Sequence, residues 1–213
     1  MTTLLLIRHG ESEANRQGFF AGQTDVELLE KGLRQAAVTA AYIREHYQVD
    51  YVLASDLKRA YATGKCIAEV LGVELKTDSA LREINAGRWS GMKFDDLDRV
   101  YAESYGIWRR DIGNACCPEG ETVRQLSDRV MDALNRIARE NPGKTLVVAT
   151  HATPIRAAQT VIQLGDPARM REVPWVSNAS VTEIRHDRGH WECLKVSEDR
   201  HLGDTKTVFP ANV

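Results

Sequence analysis

The sequence lacks the features that mark secreted, membrane-bound and nucleic-acid-binding proteins. Its 213 residues include only four cysteines and no CxxC pair, which is typical of reduced thiols in a cytosolic protein. The apolar run Leu4–Ile7 is too short for a signal peptide or a membrane span. A net charge of −2 argues against nucleic acid or an anionic membrane as a partner, because such partners usually require basic excess. We therefore expect a cytoplasmic protein whose basic sites are local.

Three short apolar runs, each followed by a helical pattern, predict the fold class. The runs are Leu4–Ile7, Tyr51–Ala54 and Leu146–Ala149. Strands alternating with helices favour a parallel sheet with both faces covered. The chain is long enough for one sizeable core and short for two. We expect a single domain over residues 1–213, an α/β/α sandwich of three layers with a mostly parallel sheet.

The apolar periodicity also predicts the larger helices and a C-terminal hairpin. The helices run from about Glu30 to Tyr47, over Leu57–Leu71 with Ser55 and Asp56 as a cap, and from near Glu121 to Asn141. Strands are predicted over Ser180–Arg185 and His190–Val196, joined by a turn at Asp187-Arg188-Gly189. The last twelve residues, 202–213, are expected to be loosely held.

Residues 84–118 interrupt this alternation of strands and helices. The segment combines glycines and aromatic residues with basic and acidic side chains that nearly cancel in charge. We expect a lid-like insertion over a site, with aromatic residues that either pack the insertion or contact an apolar ligand group.

Histidines and arginines follow the predicted strands. Arg8 and His9 end the first strand, His151 follows the run at 146–149, and Ser55 and Arg59 follow the second. Ligands of open α/β sheets bind outside the carboxyl ends of the strands, so these side chains could converge there. One such histidine is more often structural, but two histidines with two arginines favour an anion site. Nearby guanidinium groups would hold a histidine in its neutral, nucleophilic form.

Other motifs carry less information. Gly10 permits a sharp exit from the first strand and lets a ligand approach the backbone. The segment Pro142–Thr145, PGKT, precedes a strand and lacks the first glycine of a nucleotide-binding loop, so we reject that interpretation. The sequence HDRGH fits a hairpin turn better than a metal site, and no HExxH motif or cysteine cluster predicts zinc. We expect no metal and no cofactor.

Five motifs, in order along the chain, resemble those of the histidine phosphatase superfamily, which has the phosphoglycerate mutase-like fold. They are LLLIRHGESEAN, ASDLKRAYAT, LREINAGRWSG, PEGET and VVATHATPIR. The resemblance runs from Leu4 to about Ile184. It implies that His9 is a nucleophile that becomes phosphorylated, and that Glu83 protonates the leaving group. It also implies that Arg8, Arg59 and His151 bind the phosphoryl oxygens.

The same resemblance places further residues at the pocket. Asn15, Gln23 and Thr24 correspond to positions that line it, and Ala152 stands where the family usually has a glycine whose N–H is used.

The expected activity is metal-independent hydrolysis of small phosphomonoesters through a phosphohistidine intermediate. A phosphoglycerate mutase shares these core motifs and is the alternative enzyme. A non-catalytic module that binds phosphorylated ligands is the alternative outside enzymes, although such a module needs neither a nucleophile nor an acid. A homodimer is compatible with the sequence, which does not determine the oligomeric state.

Overall fold

Six strands form one mixed sheet in the computed structural model, which describes residues 1–208. The strands are β1 (Thr2–Arg8), β2 (Tyr51–Ala54), β3 (Leu75–Thr77), β4 (Thr145–Thr150), β5 (Val181–Asp187) and β6 (His190–Glu198). Their order across the sheet is β3-β2-β4-β1-β5-β6. Strands β1, β4, β2 and β3 are parallel to one another, and β5 pairs antiparallel with both β1 and β6. The predicted mostly parallel sheet is confirmed.

Helices cover both faces of the sheet. They are α1 (Glu13–Gln17), α2 (Glu30–His46), α3 (Lys58–Leu71), α4 (Phe94–Val100), α5 (Ala102–Arg110), α6 (Val123–Glu140) and α7 (Ala152–Leu164). Alternate residues of β1 enter opposite cores: Leu5 and Ile7 pack with α2 and α3, whereas Leu4 and Leu6 pack with α6 and α7. This two-sided burial explains the continuous apolar run in the sequence.

The cap predicted for α3 is wrong. The residue before the helix is Leu57, whose side chain cannot cap it, and the Asp25 carboxylate accepts from the Lys58 N–H at 2.7 Å instead. Ser55 instead bonds a histidine of the candidate site, and the Asp56 carboxylate pairs with the Arg82 guanidinium at 2.5 Å. The Ser55 hydroxyl also accepts from the Leu57 N–H at 3.4 Å, so it contacts the residue before the helix, whereas Asp56 is paired with Arg82. The short strand β3 was also absent from the prediction.

The C-terminal segment differs in part from the expectation. Residues Arg200–Thr205 form 3₁₀ turns that are kinked at Gly203, where φ is 50°, and Leu202 is buried. The Gln35 side chain of α2 donates to the Thr205 carbonyl oxygen at 2.7 Å and to the Thr207 hydroxyl at 3.0 Å. Residues 202–208 are thus tied to α2, while the remainder of the predicted loose segment lies outside the described residues.

The hairpin turn between β5 and β6 follows its sequence signal. Arg188 and Gly189 both have positive φ, at 47° and 85°. Two such residues in succession match the twist of the flanking strands, which accounts for the tight connection.

Residues 84–118 contain α4, α5 and two short 3₁₀ helices, Gly87–Trp89 and Ile112–Asn114. Phe20 packs edge-on against Trp89 and Trp108, with ring centroids 5.5 and 5.0 Å apart. Trp89 is fully buried, so it packs the segment itself, whereas Trp108 and Tyr105 also line a cavity. The role of the segment as a lid stays a prediction.

Candidate active site

The carboxyl ends of three adjacent strands bring the predicted polar residues together. In the parallel register, Arg8 of β1 lies beside Thr150 of β4, and Ala54 of β2 lies beside Ala149. His9, His151 and Ser55 are the residues that follow these strand ends. The His9 and His151 ring centroids are 5.3 Å apart. Strand pairing therefore places two histidines in contact that are 142 positions apart in sequence.

His9 is buried and held in one orientation. Its Nδ1 lies 2.8 Å from the Gly10 carbonyl oxygen. Because that oxygen can only accept, Nδ1 carries the hydrogen, and Nε2 of the neutral ring keeps its lone pair. Burial, followed by the positive charges of Arg59 and Arg8, lowers the pKa of His9 well below 6.5. The ring is therefore neutral at pH 7, with a nucleophilic nitrogen available.

His151 is fully buried behind His9, at the residue that precedes α7. Its Nε2 lies 2.9 Å from the Ser55 hydroxyl oxygen, and its Nδ1 has no hydrogen-bond partner within residues 1–208. Burial first, and Arg59 second, lower the pKa of His151 well below 6.5. A neutral ring still has one N–H, so His151 can donate one hydrogen bond without being charged.

Backbone carbonyls fix the two arginines. Arg8 donates from Nη1 to the Val176 carbonyl oxygen at 2.6 Å. Arg59 donates to the carbonyl oxygens of Thr24 and Gly22 at 2.9 and 2.7 Å. Burial lowers the pKa of each arginine to about 10, an effect that the Glu83 carboxylate partly offsets. Both guanidinium groups remain charged at neutral pH and are held rigidly.

Glu83 lies on a loop that is anchored from several sides. Its Oε1 accepts from the Ile84 N–H at 2.8 Å, and its Oε2 accepts from the Thr153 N–H at 3.4 Å. The Glu83 carbonyl oxygen accepts from Gln23 at 3.0 Å and from Arg129 at 3.3 Å. Arg129 also pairs with the Glu121 carboxylate at 2.9 Å. These contacts fix the carboxylate that faces the two arginines.

A cavity of about 800 Å³ opens at this edge of the sheet. Six of the nine predicted site residues line it: Arg8, His9, Asn15, Arg59, Glu83 and Ala152. His151 is fully buried beside the His9 ring and is not among the residues that line the cavity. Gln23 and Thr24 do not line the cavity either. The Gln23 side-chain amide donates to the Glu83 carbonyl oxygen, and the Thr24 carbonyl oxygen accepts from Arg59. The Asn15 side chain lines the cavity and is also hydrogen-bonded within the protein, because its oxygen accepts from the Ser12 N–H at 3.1 Å.

The need for glycine at position 10 has a different origin from the one expected. A Cβ there would collide with the backbone of Gly32 in α2. Gly10 therefore permits the first turn of α2 to approach the strand end, where the Thr63 hydroxyl accepts from the Gly10 N–H at 3.1 Å. Helix packing, and not access for a ligand, requires this glycine.

Comparison with known proteins places the chain in a family. The model of the histidine phosphatase superfamily (branch 1) matches residues 4–199. The chain belongs to the histidine phosphatase superfamily. It is 31% identical to phosphoserine phosphatase 1 of Hydrogenobacter thermophilus, over 96% of each chain. It is also 31% identical to phosphoglycerate mutase-like protein 4 of Arabidopsis thaliana, over 95% of this chain and 87% of that protein.

Solved structures agree with this membership. The mycobacterial glucosyl-3-phosphoglycerate phosphatase in complex with VO3 superposes with a TM-score of 0.85 at 25% identity, covering 92% of this chain and 99% of that one. A phosphoserine phosphatase mutant from Entamoeba histolytica, in complex with phosphoserine, gives 0.83 at 27% identity, covering 95% and 100%. The family model and the phosphatases among the similar proteins identify this histidine phosphatase as a phosphoric monoester hydrolase.

One departure from the usual family sequence is accommodated by the backbone. Ala152, where the family usually has glycine, is the first residue of α7, and its φ is negative. An L-residue adopts this conformation without strain, so alanine is compatible with the helix start.

Sequence reasoning gave no role to several residues around the cavity. Arg156 and Trp175 line it, and Arg129 anchors the Glu83 loop. The sequence did contain a signal for Arg156, because this charged residue stands five positions after His151 among the apolar residues of α7. Within residues 1–208, no group of three or more His, Cys, Asp or Glu side chains could hold a metal ion, and no helix is long and apolar enough to cross a membrane.

Proposed function

We propose that the protein hydrolyses small phosphomonoesters through a phosphohistidine formed on Nε2 of His9. The observation that carries this proposal is the state of His9 in the structure. The ring is buried, neutral and oriented by its bond to Gly10, and it lies among fixed cationic groups. A neutral imidazole next to fixed guanidinium groups combines a nucleophile with an anion site, as phosphoryl transfer requires.

The first step transfers the phosphoryl group to the enzyme. The Nε2 lone pair attacks phosphorus, the bond to the ester oxygen breaks, and its electron pair stays on that oxygen. The planar guanidinium groups of Arg8 and Arg59 match the phosphoryl oxygens and balance their charge. His151 donates one further hydrogen bond from its unpartnered Nδ1, with Ser55 donating to Nε2.

Glu83 supplies and recovers the proton. In its protonated form it gives a proton to the departing ester oxygen, which leaves as an alcohol. In the second step the Glu83 carboxylate accepts a proton from a water molecule as that water attacks phosphorus. The P–N bond then breaks, its electron pair returns to Nε2 of His9, and inorganic phosphate is released. The contacts from Gln23 and Arg129 keep the loop in place for both transfers.

Hydrolysis is better supported than a mutase reaction. Relatives named phosphatases include phosphoserine phosphatase 1, and glucosyl-3-phosphoglycerate phosphatase is among the similar structures. A relative named probable phosphoglycerate mutase, from Escherichia coli, has the same identity, 31%, over a smaller share of this chain, 90%. A mutase must also keep water away from the phosphohistidine. We propose that residues 84–118 form a short cover that lets water reach it.

The four free cysteines, one of them exposed, support a reducing compartment, and we place the protein in the cytoplasm. A homodimer stays a prediction.

The experiment traps the intermediate. Brief incubation with a ³²P-labelled phosphomonoester and a denaturing quench should leave label that is acid-labile and base-stable in the wild type. His9→Ala should trap none, whereas His46→Ala, at an exposed histidine outside the cavity, should still be labelled. Normal turnover by His9→Ala would disprove the assignment.

With 3-phosphoglycerate, release of inorganic phosphate without a bisphosphoglycerate primer is expected. Faster formation of 2-phosphoglycerate, dependent on that primer, would favour the mutase.

A further inference from the structure

Arg156 is a buried cation at the wall of the cavity. Only 7% of the residue is exposed, although it is charged at neutral pH. Its Nη2 donates to the carbonyl oxygens of Met170 and Val173 at 2.9 and 3.2 Å. Nε is buried without a partner, and Nη1 donates no hydrogen bond to residues 1–208. Part of its hydrogen-bonding capacity is therefore unused on the side chain that lines the cavity.

Three other arginines of the cavity have acidic neighbours, whereas Arg156 has none among the described residues. Arg8 and Arg59 lie near Glu83, and Arg109 pairs with Asp98 at 3.0 Å. No ion pair joins Arg156 to a carboxylate within residues 1–208. Burial lowers its pKa to about 10, and no nearby acid raises it. A buried cation without a counter-ion is costly, so this site favours an anion from outside the protein.

Trp175 connects Arg156 to the phosphoryl site. The guanidinium carbons of Arg156 and Arg8 lie 5.1 and 5.4 Å from the Trp175 ring centroid. These two carbons are therefore at most about 10.5 Å apart, the sum of those distances. One small molecule with two anionic groups can bridge such a span. Stacking on an aromatic face also fixes both guanidinium planes.

A second basic side chain belongs to the same wall. Arg171 lines the cavity and lies in the 3₁₀ helix Pro167–Glu172, between the two carbonyl groups that Arg156 holds. It is exposed and makes no ion pair within the described part of the chain. In total, seven Lys or Arg and two Asp or Glu side chains among the described residues line the cavity. A single phosphoryl dianion would not balance that charge.

We propose that Arg156, Arg171 and Trp175 form a second anion subsite, which binds a carboxylate on the leaving group of the substrate. This inference rests on the proposed phosphomonoesterase function and names its substrate class: phosphorylated hydroxy acids or amino acids. A carboxylate fits the planar fork of Arg156, and a compact acid fits the limited distance to Arg8.

Matched substrate pairs test the subsite. 3-Phosphoglycerate and glycerol 3-phosphate differ in the carboxylate, as do phosphoserine and phosphoethanolamine. The wild type should have the higher kcat/KM for the acid of each pair. In Arg156→Gln this preference should fall about 10- to 100-fold, the range for a hydrogen bond to a charged group, mainly through KM. Arg171→Gln should reduce it by a smaller factor. Arg139→Gln, an exposed arginine of α6 outside the cavity, should leave it unchanged.

Binding separates failure of the subsite from failure of the hydrolase. In a His9→Ala background, calorimetry should show tighter binding of 3-phosphoglycerate than of glycerol 3-phosphate, and Arg156→Gln should abolish the difference. If 4-nitrophenyl phosphate is hydrolysed but the wild type shows no preference for the acids, the subsite is wrong. Equal losses on both members of a pair in Arg156→Gln and Arg171→Gln would likewise overturn it. If no phosphomonoester is hydrolysed, but the binding preference depends on Arg156, the hydrolase assignment fails and the subsite stands.

Discussion

The two buried histidines should make the stability of the fold depend on pH. Burial and the charge of Arg59 lower the pKa values of His9 and His151 well below 6.5 in the native state. In the unfolded chain both residues titrate near 6.5. Below that pH the unfolded state binds protons that the native state does not, so the free energy of unfolding decreases as the pH falls. Above about pH 7.5 both histidines are neutral in the folded and the unfolded state, so they no longer lower the free energy of unfolding.

The magnitude follows from linkage. At pH 5.5, one pH unit below the unfolded pKa, each histidine that stays neutral in the native state favours unfolding by about 1.4 kcal/mol. The pair therefore destabilises the protein by about 2.8 kcal/mol relative to pH 8. This is a substantial part of the stability of an ordinary domain.

Urea denaturation at pH 8.0, 6.5 and 5.5, at constant ionic strength, measures this effect. Other groups also titrate in this range, so the informative quantity is the stability difference between wild type and variant. For His9→Asn and His151→Asn that difference should shift by about 1.4 kcal/mol between pH 8.0 and 5.5, in favour of the variant. Ser55→Ala removes the partner of His151 but no titrating group, and its difference should stay constant. A shift below about 0.3 kcal/mol in both histidine variants would refute neutral, buried histidines.

Two further predictions concern catalysis. Glu83→Gln should slow hydrolysis of alkyl phosphates by about 10²- to 10⁴-fold, but 4-nitrophenyl phosphate far less, because nitrophenolate leaves without a proton. Steady-state rates on both esters, with Gln17→Ala as a control at the cavity wall, check this, and equal losses would exclude Glu83 as the acid. Full activity should survive EDTA, because Arg8 and Arg59 supply the positive charge. Loss on chelation, restored by magnesium or zinc, would contradict the scheme.

Local sequence determined the layers of the fold. The run Leu4–Ile7 carries both core faces of β1, and the periodicity of residues 123–140 places one face of α6 in the core. The sequence Asp187-Arg188-Gly189 predicted the hairpin turn, because Gly189 adopts positive φ without a steric cost. The motifs with Arg8, His9 and His151 also pointed to the correct family. These signals are local because they depend on residues that are close together along the chain.

Tertiary structure alone decided the partners of the polar groups. Ser55 bonds His151 across 96 positions, the Asp25 carboxylate accepts from the first N–H of α3, and Gly10 accommodates the backbone of α2. The pairing of β1 with β4 and of β4 with β2 brings these residues together, and no local pattern encodes it. The same holds for Arg156, which looks like one arginine in an apolar helix until Trp175 packs beside it. Hydrophobic periodicity specifies which face of an element is buried, whereas the counter-charge available to a buried side chain depends on contacts that form only in the folded chain.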